Sequence, residues 1–129
     1  MDANERECQL DDLVRTVIGA AYRVSNVLGC GFLEKVYERA LAIEIARNGR
    51  EVKCQVPFHI LYLGQTVGCY TADLVVDERL IVELKCVDSF CSEHMAQCIN
   101  YLKASNLRLA LLINFQKPRV EWKRVIFEK

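Results

Sequence analysis

The sequence predicts an α/β (α+β) protein in which helices flank a mixed central β-sheet, in the order α-α-β-β-β-α-β-β. Three observations predict this fold class. Apolar residues recur at helical spacing through residues 10–50. Residues 51–87 are rich in Val, Ile, Tyr and Thr and are divided by short turn signals, as antiparallel strands are. One more helical segment, followed by two strand-like runs, completes the chain and favours a sheet covered by helices.

The composition is that of a globular protein with one core. Residues 1–129 contain no repeat, low-complexity stretch or linker, and this length suits a single domain. Hydrophobic residues make up 52% of the chain and charged residues 26%, which is a typical balance. Because the net charge is zero, a nucleic-acid site would have to be a local patch rather than a general positive field.

The sequence does not suggest secretion or membrane insertion. The first residues are polar and acidic, unlike a signal peptide, and no apolar run approaches the roughly 18 residues of a membrane span. The seven cysteines include no CxxC pair. We therefore expect a cytoplasmic protein without membrane contact, in which the thiols are reduced and many of them pack in the core.

Two helices are expected before the sheet. The first covers residues 10–28, where the Asp11–Asp12 pair suits a helix N-terminus, and the glycines at 29 and 31 end it. The second follows from residue 32 and stops at Asn48–Gly49. Its apolar residues are Val36, Ala40, Leu41, Ile43, Ile45 and Ala46.

Five strands and a third helix are expected after residue 50. Turns at 63–65 and 77–79 divide residues 51–87 into three antiparallel strands. The third helix covers 92–104, with Ser92 as its N-cap. The segment 107–115 is apolar on both faces, as in a central strand, whereas 120–127 alternates as an edge strand does.

The third strand carries Glu83 and Lys85 among residues that require burial. Residues i and i+2 lie on one face of a strand, so these two side chains emerge side by side. A three-residue turn centred on Glu78 would place Asp73 directly opposite Glu83, although a slip of one residue would turn Asp73 away. Adjacent carboxylates repel unless a cation lies between them, and their oxygens suit Mg²⁺ or Mn²⁺. The lysine could then position a water or stabilise charge on a phosphate.

A structural alternative explains the same residues without chemistry, because Lys85 could form an ion pair with Glu83 or Asp73 at the margin of the sheet. Two further features favour a site. One helical face of residues 92–104 carries His94, Gln97 and Tyr101. The second helix starts with Glu34 and Tyr37 on one face. Their alternatives are a solvated helix face and a helix-start carboxylate beside a core tyrosine.

Gly31, Glu34 and Tyr37 match the spacing of the GxxExxY proteins, a small prokaryotic family placed in the PD-(D/E)XK nuclease superfamily. The resemblance extends over nearly the whole chain, through "ADLVVDERLIVELKCV", "HMAQCINYLKAS", "LALLINF" and "VEWKRVI" in the same order. It implies a restriction-endonuclease-like core. Ala72 stands where the superfamily often has a proline, a residue that does no chemistry.

The resemblance also implies an activity, a metal-dependent nuclease that hydrolyses phosphodiester bonds of DNA or RNA. The D…ExK signature of the superfamily falls on Asp73, Glu83 and Lys85, and the helix resembles the Q-x3-Y motif of RecB-like nucleases. The implied catalytic residues are Glu34, Asp73, Glu83 and Lys85. Mg²⁺ or Mn²⁺ would be bound by Asp73 and Glu83 with help from the Val82–Leu84 backbone, and by Glu34 directly or through water.

The remaining roles that the resemblance implies concern water and substrate. Lys85 would position the attacking water. Gln97 and Tyr101 would hold the phosphate or orient Lys85, with His94 at the rim of the cleft. These three residues of the third helix are therefore the expected substrate-binding set.

Two other groups of residues are weaker candidates. Cys91, His94 and Cys98 lie at helical spacing but lack the CxxC pairs of zinc sites, so buried thiols explain them better. A basic cluster around Trp122 could contact a nucleic-acid backbone, although a solvated edge strand with Trp122 half-buried explains it better. Its members are Lys117, Arg119, Lys123 and Arg124.

Three functions remain open on the sequence alone. They are a metal-dependent nuclease, a non-catalytic module of the same fold that binds nucleic acid or a protein, and a structural dimer in which the acids and the lysine pair internally. The small size and neutral charge add weight to the second. The residues decide neither DNA against RNA nor whether the exposed edge strand supports a homodimer.

Overall fold

The structure, a computed structural model that describes residues 2–128, has three helices and five strands over that range. They are α1 (Ala3–Leu28), α2 (Glu34–Arg47), β1 (Val52–Tyr62), β2 (Gln65–Val76), β3 (Leu80–Lys85), α3 (Ser92–Ser105), β4 (Leu109–Asn114) and β5 (Glu121–Ile126). The element order and the mixed sheet predicted from the sequence are confirmed. Within residues 2–128, none of the helices combines the length and the apolar character needed to span a bilayer.

The strands form one sheet in the order β1-β2-β3-β4-β5. Neighbours are antiparallel except β3 and β4, which are parallel because α3 carries the chain back between them. All six residues of β4 are buried, as expected of a central strand with apolar residues on both faces. β5 lies at one edge, and five of its six residues are exposed.

Helices cover both faces of the sheet. α1 and α2 pack on one face, where Leu74, Val82 and Leu111 join their apolar side chains in one buried cluster. α3 packs on the other face, against Ile81 and Leu112. Because both faces are covered, polar side chains of the central strands reach solvent at the strand ends, and β3 ends at Lys85.

The outer part of the β1–β2 hairpin extends beyond this end of β3. β2 pairs with β3 through residues 74–76 only, whereas its pairing with β1 continues out to Gln65. The tip of the hairpin exposes large apolar side chains, namely Leu61, Tyr62, Leu63 and Val67. The hairpin therefore projects beyond the carboxyl end of β3 on one side.

Two helix starts differ from the sequence prediction. α1 starts at Ala3 rather than near residue 10, because Asp2 caps it by accepting the backbone N–H of Glu5 at 2.8 Å. The added turns are polar and exposed, so they carry no apolar periodicity. The N-cap of α3 is Cys91, and Ser92 is its first helical residue.

Part of the apolar pattern of α2 faces solvent, and the expectation that many cysteines pack in the core is wrong. Val36 and Ile43 of α2 are 38% and 65% exposed, because α2 turns only one side to the sheet, and that side includes Glu38. Of the seven cysteines, all in the described range, Cys98 is buried and five are exposed. Most of the thiols are therefore surface groups; Cys69, for example, lies on the exposed part of the hairpin.

Candidate active site

Asp73 and Glu83 each accept a hydrogen bond from the backbone of the other residue's strand, at the point where β2 separates from β3. The register of the two strands pairs Leu74 with Val82, and continued by one residue it places Asp73 opposite Glu83. Here side chains replace the backbone ladder. Glu83 Oε1 accepts the backbone N–H of Asp73 at 2.8 Å, and Asp73 Oδ2 accepts the backbone N–H of Leu84 at 2.9 Å. Each carboxylate is therefore held by the opposite strand.

Glu83 is buried and Asp73 is half-buried. Glu83 is 3% exposed, and burial, followed by the negative charge of Asp73, raises the pKa of Glu83 to about 8. Burial also raises the pKa of Asp73; the hydrogen bond from Leu84 opposes this rise, and the neighbouring carboxyl group of Glu38 adds to it. Two acids thus share a region in which their ionised forms are unfavourable, and a cation would relieve this.

Lys85 lies on the same face of β3 as Glu83 and is half-buried. Its positive charge opposes the rise in the pKa of Glu83 and of Glu34, so it lies close to both carboxyl groups. Across residues 2–128, its ammonium group forms no hydrogen bond or ion pair. The structural alternative, a pair between Lys85 and Glu83 or Asp73, is thus not formed in this arrangement.

Glu34, the first residue of α2, approaches the same group of side chains. Its carboxyl group lies at the backbone N–H of Cys86, just after the end of β3. Burial, followed by the charge of Asp73, raises the pKa of Glu34, and Lys85 opposes the rise. α2 and β3 therefore bring Glu34, Asp73, Glu83 and Lys85 into one electrostatic neighbourhood.

The turn before α2 explains why Gly31 and Tyr37 accompany this glutamate. Gly31 has φ 111°, a conformation that favours glycine. The Tyr37 hydroxyl donates to the carbonyl of Gly29 at 2.6 Å and accepts the backbone N–H of Phe32 at 3.2 Å. Its ring stacks on Phe115 with centroids 4.8 Å apart. Tyr37 is thus buried, and its hydroxyl stabilises the turn. This agrees with its interpretation as a core residue.

Two residues at this site were not found by sequence reasoning. Glu38 is 6% exposed, and its Oε2 lies 3.0 Å from the Lys35 ammonium. The Gln55 amide donates to Glu38 Oε1 at 2.8 Å and to Asp73 Oδ1 at 3.5 Å. Glu38 lies one helical turn after Glu34, a spacing that could have identified it. Gln55 carried no such signal, because no sequence pattern indicates its left-handed φ of 53° inside a strand.

Tyr101 and Gln97 anchor α3 beside the site. Tyr101 is 3% exposed; its hydroxyl donates to the carbonyl of Thr71 at 3.0 Å and accepts the Gln97 amide at 3.1 Å. Burial, followed by the charges of Glu83 and Asp73, raises the pKa of Tyr101. Both residues therefore lie close to the two carboxylates, and Tyr101 ties α3 to β2 two residues before Asp73.

His94 caps the start of α3, and Cys98 is buried. His94 Nδ1 accepts the backbone N–H of Cys91 at 3.2 Å, and its ring meets Phe90 edge to face. Burial, followed by the charge of Glu83, raises the pKa of Cys98 to about 12, so this thiol stays protonated at neutral pH. In the described part of the chain, no group of three or more His, Cys, Asp or Glu side chains is arranged to hold a metal ion.

The donor atoms at Asp73 and Glu83 nevertheless fit a hard cation that needs few protein ligands. Both supply carboxylate oxygens, and Mg²⁺ is commonly held by one or two carboxylates together with water and substrate phosphate.

The basic cluster near the C-terminus has the surroundings of an edge strand. Arg124 forms an ion pair with Asp11 of α1 at 2.9 Å. Trp122 is 40% exposed on β5. This agrees with the interpretation of a solvated edge with a half-buried tryptophan.

The strand order and the Asp–Glu–Lys grouping define a nuclease-like α/β domain. A model of the PD-(D/E)XK nuclease superfamily matches residues 11–125, and the chain therefore belongs to this superfamily. PD-(D/E)XK nucleases generally use divalent metal ions. The narrower GxxExxY assignment stays a prediction. No curated protein sequence matches the chain significantly.

Solved structures of the same fold include three that are similar to this chain. The crystal structure of SSO0001 has a TM-score of 0.56 and 18% identity, covering 97% of this chain and 61% of that one. The alkaline exonuclease LHK-Exo from Laribacter hongkongensis has a TM-score of 0.51 and 12% identity, covering 84% of this chain and 76% of that one. The structure of LHK-Exo in complex with dAMP has a TM-score of 0.51 and 13% identity, with the same coverage of both chains. At these identities the likeness shows the fold alone.

Proposed function

We propose that this protein is a divalent-metal-dependent nuclease that hydrolyses phosphodiester bonds of DNA or RNA. The observation that carries the proposal is the pair Asp73 and Glu83: burial raises the pKa of both carboxyl groups, and the negative charge of Asp73 raises the pKa of Glu83 further. Lys85 lies beside them without an ion-pair partner in residues 2–128. Uncompensated buried acids are costly, whereas a bound cation turns the same pair into ligands. Membership of a nuclease superfamily supports the proposal.

In this proposal Asp73 and Glu83 bind Mg²⁺ or Mn²⁺, with the Val82–Leu84 backbone and water completing the ligand set. A metal ion held there would polarise the scissile phosphate and lower the pKa of a bound water. Glu34 orients a water. Lys85 positions the attacking water and stabilises the charge that develops on the phosphate. The water oxygen forms a bond to phosphorus as the bond to the leaving oxygen breaks; the water gives up a proton, and the leaving oxygen takes one up.

The residues of α3 divide into two roles in this proposal. Gln97 and His94 contact the substrate from the rim of the site. Tyr101 acts by position, because its hydroxyl already has two partners, the Thr71 carbonyl and the Gln97 amide. It keeps α3 and β2 in register beside Asp73.

A cleavage assay tests the proposal. Linear and circular substrates of DNA and RNA, single-stranded and duplex, are incubated with Mg²⁺, Mn²⁺ or EDTA. We expect cleavage only with a metal ion, and a loss of about 100-fold or more in Lys85→Ala. Lys53→Ala is the matched control, because Lys53 forms only a surface ion pair with Glu78 and Glu51. Cleavage at the wild-type rate in Lys85→Ala would refute the assignment of the site.

A non-catalytic module that binds nucleic acid or a protein is the second candidate. One observation favours it: residues 54–72 contain no Asp, Glu, Lys or Arg, and the hairpin tip exposes apolar side chains such as Leu61 and Leu63. Exposed apolar patches often mark binding surfaces. Binding without cleavage, insensitive to EDTA and to Lys85→Ala, would support this candidate. Homodimerisation through the exposed edge strand stays a prediction.

A further inference from the structure

β1 has an uncommon backbone conformation beside the candidate site. Gln55 has φ 53°, in the left-handed region that non-glycine residues seldom occupy. It lies inside β1, between Cys54, which pairs with Leu74, and Val56, which pairs with Ala72. Both pairs have the same register, so no residue is inserted into either strand. The conformation of Gln55 is therefore not the consequence of an extra residue.

At Gln55 the apolar side chains of β1 change from one face of the sheet to the other. Val52 packs against the α1–α2 cluster and Val56 against the α3 cluster, although residues four apart on a regular strand share a face. β2 changes face in the same way around Asp73, since Leu74 belongs to the first cluster and the residue before Asp73 to the second. Asp73 lies at this crossing point. Its carboxylate therefore reaches the end of β3 instead of either core.

The side chain of Gln55 completes this arrangement. Its amide donates to Glu38 Oε1 at 2.8 Å and lies 3.5 Å from Asp73 Oδ1. Glu38 is in turn held by the Lys35 ammonium at 3.0 Å. The other oxygen of Asp73, Oδ2, is held by the backbone of Leu84. One amide thus links a buried carboxylate on α2 to the oxygen of Asp73 that β3 does not hold.

We propose that Gln55 is a positioning residue for Asp73. Its backbone sets the direction from which Asp73 approaches β3, and its amide, anchored by Glu38, fixes the orientation of the Asp73 carboxylate. Backbone strain at a non-glycine residue persists where surrounding structure determines it, and it concentrates at functional sites. The consequence for metal binding rests on the proposed function, in which Asp73 is a ligand. Partners that orient a metal ligand typically change metal affinity by about 10- to 100-fold.

Calorimetric titration of the full chain with Mn²⁺ tests the proposal on Gln55→Gly, with Leu63→Gly as the matched control. Leu63 also has a left-handed φ, 50°, but it is 88% exposed at the hairpin tip. Glycine relieves the same kind of strain in both variants, so both should fold, and Gln55→Gly should melt somewhat lower because Glu38 loses the Gln55 amide. We expect Gln55→Gly to weaken Mn²⁺ binding about tenfold or more and Leu63→Gly to leave it unchanged. Wild-type affinity in Gln55→Gly would overturn the proposal.

A metal-free measurement separates this proposal from the proposed function. Hydrogen exchange of the Leu84 amide, followed by NMR, reports its bond to Asp73. We expect this amide to exchange at least about fivefold faster in Gln55→Gly than in the wild type, and at the wild-type rate in Leu63→Gly. A wild type that binds no Mn²⁺ would end the proposed function. Unchanged exchange in Gln55→Gly would overturn the positioning role even in that case.

Two substitutions test whether Glu38 is the anchor. Glu38→Gln keeps an oxygen that accepts the Gln55 amide, so the Leu84 amide should keep its slow exchange. Glu38→Ala removes the acceptor and should reproduce the faster exchange of Gln55→Gly. Equal exchange rates at Leu84 in the two Glu38 variants would contradict an anchoring role for Glu38.

Discussion

At the scale of single residues, Glu83 shows how burial sets chemistry. Its side chain lies beside Asp73 with 3% exposure. Burial, followed by the charge of Asp73, moves its pKa from an ordinary 4.5 to about 8. Between these two pH values, the folded metal-free protein holds a proton at Glu83 that the unfolded chain releases. A proton difference of this kind makes stability depend on pH.

The stability of the metal-free protein should therefore fall as the pH rises from about 5 to about 8. Because the pKa of Glu83 is raised in the folded state, its contribution is complete below pH 4.5 and is lost as the pH passes through about 8. One proton corresponds to a slope on the order of 1 kcal/mol per pH unit. Urea unfolding in EDTA should show this decline.

Two variants assign that decline to Glu83. Glu83→Gln should remove most of it, since the amide does not titrate. Glu78→Gln should leave it in place, because Glu78 lies exposed at the turn between β2 and β3. A wild-type stability that does not change between pH 5 and 8 would show that Glu83 titrates as an ordinary glutamate.

Tyr37→Phe should destabilise the protein by about 1–3 kcal/mol. The substitution removes the hydroxyl that bridges Gly29 and Phe32 at the turn before α2, and it leaves both backbone groups without this partner. Tyr62→Phe is the control, because Tyr62 is 60% exposed at the hairpin and should change stability little. The free energy of urea unfolding measures both. Equal stability of the two variants would show that the bridge is not needed.

At the scale of elements, the site lies where regular pairing ends. β2 and β3 separate after Leu74 and Val82, and carboxylates then satisfy backbone N–H groups that a longer ladder would have paired. The sequence left this register open, because a slip of one residue would have turned Asp73 away; the structure has the register that brings Asp73 opposite Glu83. The expectation for Glu34 came instead from its spacing to Gly31 and Tyr37, and in the structure the Tyr37 hydroxyl holds the turn that precedes α2.

Other parts of the site were not predictable from local pattern. The burial of Glu38 depends on which side of α2 meets the sheet. Gln55 has a left-handed backbone conformation that its residue type does not indicate. The exposed cysteines are a similar case, because a small apolar residue suits both core and surface. These features are set by tertiary packing, whereas element order and register are set by periodicity and turns.

Gly31→Ala should destabilise the protein by about 1–3 kcal/mol. Gly31 has φ 111°, and a Cβ there would meet no atom within 4 Å, so the cost is conformational rather than steric. Gly19→Ala is the control inside α1, where a Cβ would lie at an ordinary 3.6 Å from Arg23. There alanine should stabilise by up to about 1 kcal/mol. Thermal unfolding compares them, and a neutral Gly31→Ala would show that the turn can relax.

At the scale of the whole molecule, the chain has zero net charge and concentrates acidic groups at one end of β3. A general electrostatic field therefore does not attract nucleic acid, and a negatively charged site would repel phosphate. A divalent cation reverses the local charge that the substrate meets. The proposed activity of the whole protein thus depends on whether Asp73 and Glu83 bind such an ion.

Thermal unfolding of the wild type with and without millimolar Mn²⁺ tests this most directly, with Glu83→Gln and Lys85→Ala measured alongside. Binding to the folded state alone stabilises by about 2.7 kcal/mol at a hundredfold excess over Kd. We expect the melting temperature to rise in the wild type and in Lys85→Ala, and to stay constant in Glu83→Gln, whose metal-free form should be at least as stable as the wild type. The absence of any rise in the wild type, together with strong destabilisation by Glu83→Gln, would contradict the account and make Glu83 a structural residue.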